Sequence, residues 1–142
     1  VAGGRPIYRG KLSLAEAEQR IGRYWHPYHQ ALSALIEDTR TAFGSAILID
    51  CHSMPHEAIE AHSRPGQPRP EVVLGDRFGV AAGREVMDRV EAAFGGAGLR
   101  VVRNAPFAGA DVAQAYGRPL RGVNVVQVEI GRRVPGLVEI HS

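Results

Sequence analysis

Apolar residues fall at helical spacing across "LAEAEQRIGRYWHPYHQALSALIEDTRTAF": Leu14, Ala17, Ile21, Trp25, Tyr28, Leu32, Leu35, Ile36 and Phe43 mark one face of a long amphipathic helix. Ser13 followed by Glu16 fits a reciprocal N-terminal cap, and Gly44 ends the run. Pro27 lacks a backbone donor and crowds the preceding turn, so a kink near Tyr24 to His26, or two abutting helices, is expected.

The pattern then changes period. "AILIDCH" is apolar on both faces, as in a central strand covered on either side by helices. A proline-rich stretch with Pro55, Pro65, Pro68 and Pro70 follows, with room for one turn around His56 to Ala61. "EVVLGD" reads as a short strand, "AAGREVMDRVEAAFGGAG" as a helix with Val86, Val90 and Phe94 inward, "LRVV" as a strand and "VNVVQVEI" as a fourth. Between the last two, "RNAPFAGADVAQAYGRPLRG" is rich in turn residues. Strands interleaved with helices predict an α/β fold, a three-layer sandwich with a mixed, largely parallel central sheet. There are no internal repeats, and residues 1–142 are expected to form one domain.

Composition narrows the function classes. The chain is 44% hydrophobic and 23% charged, with no apolar run near the roughly 18 residues of a membrane span. The start, "VAGGRPIYRG", lacks the features of a secretory signal, which makes the cytoplasm the expected compartment. Net charge is +2, and all basic residues but Lys11 are scattered arginines rather than a stripe with interleaved aromatics, which argues against nucleic acid. A lone Cys51 excludes an internal disulfide and a cysteine-held zinc. Any metal would sit on His, Asp or Glu, as in catalytic rather than structural sites.

Each predicted strand turns polar at its C-terminal end: Asp50 and His52, Asp76 and Arg77, Arg103 and Asn104, Gln127 and Glu129. If all four strands run in one direction these residues share a rim, where ligands of α/β sheets bind. Residues two apart on a strand point to the same face, which pairs Asp50 with His52 and Gln127 with Glu129 and turns Cys51 away. That alternation excludes a Cys51–His52 nucleophile pair.

Three histidines, His52, His56 and His62, lie close together, with Asp50 just before them and Glu57 and Glu60 among them. "HEAIE" lacks the second histidine of a zinc-binding helix, since Glu60 stands there, and Pro55 breaks any helix through His52 and His56. His56 and His62 read as loop residues, His56 near enough to support a metal. His52 is the better ligand, with a plain strand-end hydrogen bond as the alternative. Glu129 at the core's edge reads as a general base of raised pKa, or else as an ion-pair partner of Arg132 or Arg103.

The segments "LIDCHSMP", "LGDRFG", "RNAPFAG" and "YGRPLRGVNVVQVEI", with Arg132 after them, together resemble the N-formylglutamate amidohydrolase family, from about Ile7 to Arg133. The resemblance implies an α/β sandwich with one catalytic zinc, His52 as a ligand and Glu129 as the carboxylate that activates water, splitting a small N-acyl amino acid, N-formylglutamate, into formate and glutamate. It also implies that arginines hold the substrate carboxylates, with Arg77, Arg103 and Arg132 as candidates, Asn104 and Tyr116 lining the pocket, and Asp50, Gln127 and His56 supporting the metal and base. The family's earlier "HSG"-like ligand motif has no counterpart before residue 52, which implies a chain that begins partway through the domain. "APFAGADVA" lacks the family's tyrosine and paired glycines, and Gly131 replaces an asparagine. Two alternatives stand beside this reading: a zinc carboxypeptidase or peptide amidase of the same fold, and an inactive domain that binds carboxylates or a partner chain.

Overall fold

A serine and a glutamate three residues apart start the first element. The Ser13 hydroxyl accepts from the Glu16 amide at 3.2 Å, and the Glu16 carboxylate accepts from the Ser13 amide at 3.1 Å. In this computed structural model, which describes residues 6, 8, 10–55, 66 and 69–132, the helix that follows has three parts. These are α1 (Leu14–Arg20), a π-helical turn (Ile21–Trp25) and α2 (His26–Phe43), ended by Gly44 at φ 78°. The expected disruption at Pro27 takes the form of that π turn, in which the His26 amide donates to Ile21, five residues back. Widening the ladder by one residue accommodates a proline that has no donor of its own.

The chain divides into two compact units, residues 1–35 and 36–142. In the first, Leu14, Ile21, Trp25, Tyr28 and Leu35 of the expected inward face are exposed, Ala17 and Leu32 are partly buried, and Trp25 packs its ring on His29.

The second unit holds a sheet of β1 (Ala46–Met54), β2 (Val72–Gly75), β3 (Val101–Arg103) and β4 (Val123–Gly131), in the order β1-β4-β2-β3. β1 is parallel to β4 and β2 to β3, but β2 and β4 are antiparallel. The four strands therefore do not run one way, so their C-terminal ends do not form one rim, although the antiparallel pairing sets Gly75 at the end of β2 opposite Gln127 of β4.

Burial follows from position in that order. In β4 every residue from Val123 to Glu129 is buried, because helices cover both of its faces. α3 (Arg84–Gly96) lies on one face, where Met87 and Ala82 pack with Val72, Leu74, Val126 and Val128. On the other face, α4 (Asp111–Tyr116) packs Ala113 and Tyr116 against Val125 and Leu48, while Met54, Val73, Val102 and Phe107 form a second apolar group. β1, read from its sequence as a central strand, is instead the outermost strand among the described residues, with Ile47 and Ile49 exposed. Among the described residues, nothing fully covers those two side chains of the apolar run. No described helix is long and apolar enough to cross a membrane.

Candidate functional site

Register decides which side chains meet. His52 is the Cα partner of Glu129 across the parallel β1–β4 pair, and Asp50 is the partner of Gln127. Alternation then turns all four side chains to the face that α4 covers. Neighbouring strands lie about 4.8 Å apart, so the four groups form one compact polar cluster.

Within it, His52 Nε2 lies 3.0 Å from an Asp50 carboxylate oxygen, the imidazole 47% and the carboxylate 18% exposed. Glu129 is only 8% exposed. Burial pushes its carboxyl above the ordinary 4.5, and the nearby Asp50 carboxylate adds to that push; His52 and a hydrogen bond from Gln127 pull the other way. Gln127 donates from Nε2 to Glu129 Oε1 at 3.0 Å, and its own Oε1 accepts from the Ala110 amide at 2.7 Å.

The Ala110 contact was not legible as a functional feature, but its enabling residue carried a signal. Gly75, at the end of β2, stands opposite Gln127 in register, and a Cβ there would lie 2.5 Å from the Gly109 nitrogen. A glycine closing a strand often marks such a close approach of another backbone. The 105–110 segment crosses at that point and reaches the cluster.

Several expected pocket residues lie elsewhere. Arg103 neighbours Val102 on β3, so it points to the opposite face, where its guanidinium binds Asp88 at 2.7 Å and Glu91 through Nε at 2.9 Å. Those two carboxylates occupy the fork that was assigned to substrate. Asn104, at φ 57°, accepts from the amides of Asp76 and Phe78 and donates to the Asp76 carboxylate at 2.7 Å, so it clamps the turn after β2; with Arg103 it lines a cleft on the Arg84 side, apart from His52 and Glu129. Tyr116 packs at the level of Val125, four residues back from Glu129, or about 13 Å at the rise of a strand. Arg132 directs Nε to Ser53 at 3.4 Å, and alternation turns Ser53 away from His52. Arg77, at φ 55°, reaches the Gly109 carbonyl at 3.4 Å, next to the residue that meets Gln127. His56 and His62 lie outside the described residues.

A catalytic zinc ordinarily takes three protein ligands. Among the described residues no three His, Cys, Asp or Glu side chains converge in a way that would hold a metal ion. His52 fits one position of such a set, but the described residues alone do not complete it.

Comparison with known proteins gives a consistent family. The chain is 32% identical over 132 residues to an N-formylglutamate deformylase of Pseudomonas aeruginosa, covering 91% of this chain and 48% of that protein. It is 27% identical to the Pseudomonas putida deformylase over the same share of each. The crystal structure of an N-formylglutamate amidohydrolase from Ralstonia eutropha JMP134 superposes with a TM-score of 0.81 at 39% identity, covering 89% of this chain and 46% of that one. The chain thus spans about half the length of these relatives. A family model described as N-formylglutamate amidohydrolase matches residues 1–134, and the chain belongs to that family.

Proposed function

We propose that the protein hydrolyses the amide bond of N-formylglutamate, giving formate and glutamate, with Glu129 as the general base. The observation that carries this reading is the register pair His52–Glu129: an imidazole and a buried carboxylate of raised pKa on adjacent strands, facing the same way. The names of the relatives supply the substrate.

Glu129 takes a proton from the attacking water as its oxygen bonds to the formyl carbon, and delivers that proton to the amide nitrogen as the C–N bond breaks. A carboxyl displaced upward from 4.5 suits both halves, holding the proton long enough to return it. His52 is proposed as one ligand of a zinc whose other ligands come from outside the described residues, His56 among the candidates. A bound zinc would supply Lewis acidity toward the substrate carbonyl. Asp50 fixes the imidazole's tautomer and orientation, as carboxylates beside metal-binding histidines do. Arg77 is the proposed partner of a substrate carboxylate.

Glu129→Gln tests the reading. It keeps the shape but not the base, so kcat should fall about 10²- to 10⁴-fold with metal content unchanged. Full activity in that variant would remove Glu129 from the chemistry, and turnover of N-acetyl or peptide substrates in preference to N-formylglutamate would redirect the reading to an amidase of the same fold.

A further inference from the structure

The reaction assigned to Glu129 needs a carboxylate held in one orientation, and the structure shows what holds it. Gln127 is 4% exposed, and both ends of its amide are engaged. The Ala110 amide can only donate, so the Gln127 oxygen must face it at 2.7 Å, which leaves the NH₂ group facing Glu129 Oε1 at 3.0 Å. The loop that brings Ala110 there crosses over Gly75, the register partner of Gln127, where no side chain larger than hydrogen fits. Arg77 holds the adjacent Gly109 carbonyl.

We propose that Gln127 is a positioning residue that latches the 105–110 loop to the base, occupying Oε1 of Glu129 and so directing the transferred proton to Oε2. This rests on the proposed role of Glu129. The latch depends on an amide in particular. A glutamate at 127 would still accept from Ala110 but would set a carboxylate against Glu129, and a methionine would fill the space while leaving both partners unsatisfied.

Two variants of the full chain, Gln127→Glu and Gln127→Met, separate the two contacts. Hydrogen exchange at the Ala110 amide should quicken by about tenfold in Gln127→Met and stay near the unmodified rate in Gln127→Glu, in keeping with the net worth of one hydrogen bond. The Gln127 side-chain amide protons should likewise exchange faster in Glu129→Ala. In N-formylglutamate hydrolysis both 127 variants should lose kcat by about tenfold or more with KM changed by less than about threefold, the signature of an interaction needed in the transition state. Unchanged Ala110 exchange in Gln127→Met, or unaltered kcat in Gln127→Glu, would each overturn the proposal. The exchange measurements need no turnover, so an inactive unmodified protein would count against the proposed reaction while leaving the latch to be judged by exchange.

Discussion

Two groups of strand-end polar residues, nearly alike in composition, behave in opposite ways. Just past β2 and at the end of β3, Asp76, Asn104 and Arg103 satisfy one another and their neighbours: Asn104 closes on Asp76 and two amides, and Arg103 on Asp88 and Glu91. Within the paired β1 and β4, Asp50, His52, Gln127 and Glu129 leave a half-exposed imidazole beside a buried carboxylate displaced from its ordinary pKa. The first arrangement holds a turn and a helix in place. The second retains reactive capacity, which is what a catalytic site requires.

Substitutions can break that contrast from either side. Of the substitutions that separate the two groups, the largest effect on function is expected at His52: as the proposed ligand itself, its replacement by alanine should lower the proposed N-formylglutamate hydrolysis by more than about 100-fold, beyond the roughly 10- to 100-fold that loss of a residue merely supporting a metal ligand costs. The thermal midpoint should barely move, since the side chain is half exposed. Loss of folding instead of activity would place His52 with the structural group. Asn104→Ala should do the reverse, destabilising by about 1–3 kcal/mol through the orphaned amide and carboxylate of the buried Asp76. Urea unfolding measures this, and a large kcat change in the folded variant would return Asn104 to the substrate pocket.

The smallest expected effect is a pH slope. A carboxyl whose folded pKa is raised binds its proton more tightly when folded, so its contribution favours the folded state at low pH and is lost as pH rises from the unfolded value near 4.5 through the folded one. Unfolding free energy measured across that window should therefore decline more in the unmodified protein than in Glu129→Gln. Parallel curves would show that the Glu129 environment does not favour the protonated form.

The open cluster was legible because alternation along a strand is a fixed period: Asp50 with His52, and Gln127 with Glu129, follow from counting by two. Strand direction was not legible, since nothing in "EVVLGD" or "LRVV" states which neighbour it will pair with or which way it will run. Nor was the side on which each strand-end residue settles: Arg103 turns to the α3 face, and Asn104, at φ 57°, folds back onto Asp76. Pro27 announced a disturbance but not its form, because a kink and a π turn both relieve a missing donor. The three-layer α/β architecture with its mixed sheet was legible from the alternation of helical and strand periods; the placement of β1 at a flank was not, since its apolar pattern is that of an enclosed strand.

That outer flank of β1 carries a row of amide and carbonyl groups with no ladder partner among the described residues, a template for strand addition. Any backbone annealing there arrives about 4.8 Å from β1, and so brings its own side chains beside the imidazole of His52. Extending the sheet and enclosing that imidazole would then be one event.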